Sequence, residues 1–410
     1  MNVKMAWRNI WRNPRRTLLT ISAIAFACLL LVFMLSFQFG SYDAMINASV
    51  KIHMGHLQVQ AKGYKENQQM RRVVSHPATV ENILAKIHGV EAFTPRANAF
   101  SMVSSNERTN GVIVIGIDPE KEARVSTLKK LIRKGRYLTE TDTDRILVGR
   151  LLASSLRVDL EDELTVLGQG LDGSVAAAVF KVTGIFSSGI DDLDRSTVHI
   201  PLKYFQEIYS MGRAVHEVTV VCRSLGDLPV TKQAVVSKIN KLDEKPSLTA
   251  LDWEELMPGL SQGIFMDLVT GLITYFILIM VVAFSILNTF LMSILERTRE
   301  FGMLMAIGTT PGRLTRMVLM ESTLMTLIGI ALGIAMGCLV TLYFQSHGIN
   351  IAGASEILRQ YGISGSLYPK LSLLSASIGP GMVLVITFFA ALYPALRIKR
   401  LRPVEAMAHT

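Results

Sequence analysis

Cysteine, charge and the usual signatures of catalysis are all scarce in this chain. It holds three cysteines in 410 residues. Cys28 and Cys338 lie inside apolar runs, and Cys222 stands alone in the long middle segment, so no disulfide can staple that segment. All three read as packing residues. Charged residues make up 18% of the chain and hydrophobic ones 50%. That is too apolar for an ordinary soluble domain, and the chain is too long for a membrane bundle alone. No phosphate-binding G-x-x-x-x-G-K-[ST] loop, no C-x-x-C and no H-E-x-x-H is present, so neither a nucleotide site nor a thiol or zinc centre is spelled out. His53 and His56 lack further ligands nearby. Asp191-Asp192-Leu193-Asp194 lacks the glycine and distal glutamate of a calcium loop and is expected to be an exposed loop.

What is present is a charge pattern. Residues 41–262 carry 27 basic and 27 acidic side chains, so the whole excess of +9 sits outside them. It flanks four apolar runs long enough to cross a bilayer. The expected layout is a cytoplasmic amphipathic interfacial helix at 1–16, spans at 17–40, 263–295 (with a stalk), 317–345 and 371–396, an inserted domain at 41–262, a cytoplasmic loop at 296–316, a short outer loop at 346–370 and a cytoplasmic tail at 397–410. The first run is longer than the apolar core of a signal peptide and is read as a retained span. Lys4, Arg8, Arg12, Arg15 and Arg16 precede it; Arg297, Arg299, Arg313 and Arg316 occupy the 296–316 loop; Arg397, Lys399, Arg400 and Arg402 follow the last span. The 346–370 loop has only Arg359 and Lys370. Positive charge marks the cytoplasmic side, so both termini are expected inside the cell and the 41–262 domain outside the cytoplasm.

The amino-terminal segment places Val3, Ala6, Trp7, Ile10 and Trp11 at helical spacing, with Lys4, Arg8, Arg12 and Arg15 as a second stripe. Such a helix suits the headgroup layer, with Trp7, Trp11, Arg8 and Arg12 as anchors among membrane lipids, and Pro14 turns the chain into the first span. In 41–262, strands are predicted at 111–116, 145–149, 180–186 and 215–222, and helices at 79–88, 122–133, 150–156, 201–209 and 230–242. The mixture lacks a strict βαβ rhythm and predicts an α+β domain in two lobes. Residues 252–295 are expected to form one long helix with Pro258-Gly259 as a kink. Glu321 and Asn288 are polar residues inside spans, where they need a partner or a polar cavity. For Glu321 this is either a coupling contact or pairing with Arg313 or Arg316. Gly329, Gly333 and Gly337 form a small-residue stripe for close helix packing, within the chain or with a second copy.

The loop Glu296-Arg-Thr-Arg-Glu-Phe-Gly-Met-Leu-Met-Ala-Ile-Gly-Thr-Thr-Pro-Gly-Arg-Leu314 resembles the signature loop of MacB/FtsX-type ABC transporter permeases. The opening Ala6-Trp-Arg-Asn-Ile-Trp-Arg-Asn-Pro-Arg-Arg-Thr17 and the closing Tyr393-Pro-Ala-Leu-Arg-Ile-Lys-Arg-Leu-Arg-Pro-Val-Glu-Ala406 are similar to that family's ends. Ile146-Leu-Val-Gly149, Phe180-Lys-Val-Thr-Gly-Ile185 and Val198-His-Ile-Pro201 are similar to its periplasmic core. The resemblance implies a fold: four transmembrane α-helices plus an α+β, MacB-like periplasmic domain between the first two. It also implies a role, as an inner-membrane permease with no catalytic site, no cofactor and no nucleic-acid partner. ATP and Mg would be handled by a separate ABC ATPase in two copies, docking on Glu296, Arg297, Glu300, Phe301, Gly302, Met303, Leu304, Met305, Ala306 and Gly308. Phe301, Met303, Leu304 and Met305 would be the docking face. A second permease copy or paralogue completes the transporter. The LolC/LolE-like subgroup implies extraction of lipoproteins or lipids for a LolA-like carrier. Export of peptide or drug-like molecules with a periplasmic adaptor, or FtsX-like regulation of a periplasmic hydrolase, are the alternatives within the resemblance.

Overall fold

A computed structural model describes residues 2–242, 246–349 and 366–397, with the side chains of residues 2–5, 51, 53 and 397 outside that description. The tail beyond Arg397, most of the 346–370 loop with Arg359, and the side chains of Val3, Lys4 and His53 therefore lie outside the described residues. The chain divides into two compact units, one made of 1–43, 263–350 and 366–410, the other of 44–262 and 351–365.

The first unit is helical. A short helix, α1 (Asn2–Ile10), precedes α2 (Pro14–Ser49), whose charge-free stretch makes it a span. The other spans are long helices too: α10 (Pro258–Glu296), α12 (Pro311–His347) and α13 (Leu373–Arg397). The shortest, 25 residues, is about 37 Å long and exceeds a hydrocarbon core of about 30 Å. Ile24, Cys28, Leu31 and Leu35 of α2 pack with Tyr275, Ile279, Ile286 and Phe290 of α10 and with Val383 and Ala391 of α13. Gly329, Gly333 and Gly337 face α2: a methyl group on Gly329 would stand 2.8 Å from the Ile24 Cβ, and one on Gly337 3.0 Å from the Val32 Cβ. The glycine stripe thus serves a contact within this chain.

The second unit is built on one ten-stranded mixed sheet, which replaces the expected two lobes. Its strands are β1 (Leu57–Ala61), β2 (Val90–Ser104), β3 (Thr109–Ile117), β4 (Ile132–Gly135), β5 (Arg145–Gly149), β6 (Glu163–Gln169), β7 (Val175–Phe186), β8 (Thr197–Pro201), β9 (Glu217–Cys222) and β10 (Leu248–Asp252). They run in the order β10-β1-β9-β2-β3-β8-β5-β7-β4, and β6 pairs with β2 and β7. Only β3–β8 and β5–β7 are parallel among these pairs. The sheet carries α3 (Pro77–Leu84), α4 (Pro119–Val125), α5 (Arg150–Leu156), α6 (Asp191–Ser196), α7 (Leu202–Ile208), α8 (Leu228–Ile239) and α9 (Trp253–Leu256). Arg96 of β2 is 1% exposed and forks onto Glu122 of α4, Nε to Oε2 at 2.9 Å and Nη2 to Oε1 at 2.6 Å, with Glu217 of β9 at 3.9 Å. Burial pushes the Glu122 carboxyl up, and the charge and hydrogen bonds of Arg96 outweigh it, leaving it below its ordinary value. Burial wins at Glu217, whose carboxyl stays raised.

Several expectations change here. The helix expected at 122–133 is α4 followed by a 3-10 turn at Leu128–Leu131 and then β4, because Asp118 caps the helix from Pro119 onward and Ser126 is extended. No single helix covers 252–295. Asp252 ends β10 and forms a capping box with Glu255, and α10 begins afresh at Pro258, which lacks the N–H to continue a helix. Gly259-Leu-Ser-Gln-Gly263 has the spacing of a nucleophile elbow, but the Ser261 N–H donates to Met257 in a helical turn, so no elbow is built. The acidic run is not an exposed loop throughout. Asp194 is fully buried and accepts from the Ser187 hydroxyl at 3.0 Å and from the Ser188 N–H and hydroxyl, both at 2.7 Å.

Candidate functional site

Polar side chains gather at one end of the helical unit, where α10 stops. Arg297 follows Glu296 with φ −100° and ψ 7°, breaking the helix, and α11 (Thr298–Ala306) starts at once. Gly308, at φ 101°, and Thr310 then lead into α12. The Thr298 hydroxyl donates to the Ile294 carbonyl at 3.0 Å, and Phe301 is fully buried against Ile294, Leu314, Val318 and Ala395. These contacts pin α11 to the bundle.

Phe301 is therefore not part of an outer docking face, and Gly302 is buried beside it. Met305 packs on the same apolar cluster. The outward face is Met303 (49% exposed), Leu304 (38%) and Ile307 (83%), with Ala306 and Gly308 exposed beside them. Helical spacing explains the split. Residues 301, 302 and 305 share one side of α11, and 303, 304 and 307 the other.

The charged frame of the loop is tied to α1 and to the start of α2. Arg297 Nη1 donates to Glu321 Oε2 at 2.8 Å, and its Nε to Glu300 Oε2 at 3.4 Å. Its guanidinium also lies 5.2 Å above the Phe301 ring. Asn9 donates to the other Glu321 oxygen at 2.6 Å. Arg12 pairs with Glu300, holding that carboxyl below its usual range. Arg16 pairs with Glu296 at 2.8 Å and donates to Ser293. Glu321 thus meets Arg297 and Asn9, in place of Arg313 or Arg316. At 7% exposed it is buried where a carboxylate requires both a charge partner and a donor.

The stripes expected on α1 are redistributed. Ala6 and Ile10 are buried in the helical unit, and Trp7 and Trp11 are exposed, edge to face at 6.1 Å. Arg8 is exposed, whereas Arg12 belongs to the loop's ion pairs. The sequence does not single out Asn9 or Ser293, and it marks Arg16 only as one of the cations before the first span. The turn at residues 11–13 separates Asn9 in α1 from Arg16 in α2, so no helical spacing marks them as one group. Asn288 lies away from this cluster, exposed on α10.

Four helices long and apolar enough to span a membrane, an inserted α+β domain between the first two and an ion-paired loop between the second and third define a multi-pass transport subunit. The FtsX-like permease C-terminal family matches residues 272–403, and the MacB-like periplasmic core domain matches residues 17–239. The chain belongs to the MacB/FtsX-type permeases, and it is an inner-membrane ABC permease of the LolC/MacB type. It is 25% identical to the lipoprotein-releasing system transmembrane protein LolC of Xylella fastidiosa, over 74% of each chain. It is 24% identical to the uncharacterized ABC transporter permease YknZ of Bacillus subtilis, over 80% of this chain and 77% of that one. The macrolide export ATP-binding/permease protein MacB of Shewanella oneidensis is 22% identical over 99% of this chain and 60% of its own length. The crystal structure of the periplasmic region of MacB from Actinobacillus actinomycetemcomitans superposes with a TM-score of 0.38 at 14% identity, over 51% of this chain and 94% of that one.

Proposed function

We propose that the chain couples ATP hydrolysis by a separate ABC ATPase to movement of its 41–262 domain, and so extracts lipoproteins or lipids from the inner membrane. The observation that carries this reading is α11. The helix is pinned by Phe301 and framed by Glu296, Arg297 and Glu300, and it turns Met303, Leu304 and Ile307 outward as an apolar docking strip. Two ATPase subunits, holding ATP and Mg²⁺ themselves, would press on this strip. A displacement there reaches α10 directly, and that helix is about 58 Å long, stiff enough to pass the movement on. The basic flanking segments support a layout with both termini and α11 in the cytoplasm and the 41–262 domain on the far side. The likeness to LolC supports a lipoprotein cargo and a LolA-like carrier. A second reading, export through a tripartite pump with a periplasmic adaptor, is favoured by the match to MacB along 99% of the chain.

Purification in mild detergent followed by mass spectrometry separates the two. Recovery of an ATPase with an acylated lipoprotein supports extraction, and an ATPase with an adaptor and no lipoprotein supports the pump. Ile307→Asp should abolish ATPase capture, because a charge on the docking strip must be desolvated. Unchanged capture would rule out α11 as the docking element.

A further inference from the structure

Arginines of two kinds meet at the corner between α1 and α2. Arg12 and Arg16 pair with Glu300 and Glu296. Arg8 and Arg15 are exposed and meet no carboxylate among the described residues, and the exposed Asn13 amide makes no hydrogen bond among them. The Thr17 hydroxyl donates to the Ile10 carbonyl at 2.5 Å, so the last turn of α1 lies against the first turn of α2. Arg8 and Arg15 each stand two residues before that contact, and Trp7 and Trp11 are exposed at the same corner. Beyond Arg15 the exposed face of α2 turns apolar. Leu18, Leu19 and Phe26 are each more than half exposed, and Ser22 is the one other exposed residue between Leu19 and Phe26. Positions 15, 19, 22 and 26 follow the helical period, so they line one face. From Arg15 to Phe26 the rise is about 16 Å, about half of a hydrocarbon core of about 30 Å. The stripe is a cation above one leaflet's depth of apolar surface. Arg313 and Arg316 of α12 are exposed without a carboxylate partner too, but no residue from 317 to 326 is exposed beneath them.

We propose that this corner binds one anionic phospholipid, its phosphodiester held by Arg8, Arg15 and Asn13 and an acyl chain laid along Leu18, Leu19 and Phe26. The headgroup class follows from charge. A guanidinium presents paired N–H donors that match two phosphate oxygens, and basic sites at the cytoplasmic ends of spans take acidic headgroups. Two unpaired guanidiniums exceed the single charge of a phosphodiester. A headgroup that adds an ammonium, as in phosphatidylethanolamine, therefore meets repulsion, and phosphatidylglycerol does not. The indoles of Trp7 and Trp11 supply the amphipathic surface that sits at the interface. The tail contact separates a lipid from a free phosphate, which would leave Leu18, Leu19 and Phe26 unused. The site needs the membrane layout of the reading above but neither its cargo nor its ATPase.

The test offers the full-length chain, purified in detergent, equal amounts of phosphatidylglycerol and phosphatidylethanolamine and reads the bound lipid by native mass spectrometry. No ATPase is present, so failure here is distinguishable from failure of the transport reading. One phosphatidylglycerol should be retained per chain in preference to phosphatidylethanolamine. Arg8→Gln with Arg15→Gln should weaken that retention about 30-fold, taking about fivefold for each cation beside an anionic lipid. Arg8→Lys with Arg15→Lys should recover most of it. Leu19→Asn should weaken it several-fold with every charge in place, and Arg313→Gln with Arg316→Gln should leave it unchanged. Inorganic phosphate in millimolar excess should not displace the lipid. Undiminished retention in Arg8→Gln with Arg15→Gln, equal retention of the two lipids, or an equal loss from the substitutions at 313 and 316 would each overturn the proposal. So would displacement by phosphate, which would mark a site for a bare anion.

Discussion

Two Arg–Glu pairs hold this molecule together, one in each unit, and they differ in what surrounds them. Arg96 and Glu122 are 1% and 3% exposed, closed in beneath the sheet with Glu217 alongside. The Arg297 and Glu321 side chains are 12% and 9% exposed, and their network continues outward. Within one turn it reaches Arg12–Glu300, at 53% and 36%, and Arg16–Glu296, at 29% and 46%. The first pair is locked, because breaking it strands a charge in a dry interior. The second grades from locked to loose, since exposed pairs are worth only about 0–1 kcal/mol. A loop held this way has one fixed anchor and two that release at little cost, which suits the moving role proposed for α11.

Removing one member of each buried pair should separate them most sharply. Glu122→Ala removes both short hydrogen bonds from the buried Arg96 guanidinium and should cost about 3–5 kcal/mol, read as a large drop in the thermal or proteolytic stability of the 41–262 domain. Replacing Arg96 and Glu122 together by methionine and leucine should recover most of that loss. The acidic limb should follow the sign of each shift. Glu122, depressed in the fold, contributes stability above its unfolded pKa that is lost as pH falls through the folded value. Glu217, raised in the fold, costs stability as pH climbs from its unfolded pKa towards the folded one. Glu217→Gln should therefore stabilise the domain at neutral pH while Glu122→Gln destabilises it, and the same sign for both would show that the two carboxyls are not held differently.

At the other pair, Glu321→Leu strands Arg297 but leaves it a route to Glu300 and to water. A smaller loss of about 2–3 kcal/mol is expected, together with reduced stimulation of the ATPase, measured on the reconstituted complex. A loss as large as that of Glu122→Ala would mean the bundle end is as closed as the sheet.

This difference was only partly legible in the sequence. The four spans were, because runs such as Leu18–Phe39 carry no charge and their flanks do. The loop's Glu/Arg frame stood out for its spacing, the strand at Arg145–Gly149 for its short apolar run, and the strand at Phe180–Phe186 for its alternation. Partner choice was hidden. Glu321 reads as a neighbour of Arg313 and Arg316 because they are near in sequence, yet Arg297, 24 residues away, is brought to it when α11 folds back. Phe301 looks like docking surface until the turn after Arg297 aims it at Leu314 and Val318. The single sheet was hidden because β1, β6 and β10 carry polar residues such as Gln58, Gln60 and Thr165 that only pairing explains.

The exposed pair Arg12–Glu300 should give the smallest stability change and the clearest sign of a moving part. Arg12→Glu places two carboxylates together and should cost no more than about 1 kcal/mol, because water screens both. If α1 braces the loop, ATPase stimulation in the reconstituted complex should nonetheless fall several-fold, and Arg12→Glu with Glu300→Arg should restore it by rebuilding the attraction with reversed polarity. Salt sharpens the comparison. Raising ionic strength should narrow the gap between wild type and Arg12→Glu, as the Debye length shrinks from about 10 Å at 0.1 M to about 3 Å at 1 M, while the deficit of Glu321→Leu should change less, because the Arg297 side chain is 12% exposed against 53% for Arg12. A double reversal that stays inactive, or a salt response shared by both variants, would mean that the exposed pair is incidental and that the buried pair alone positions the loop.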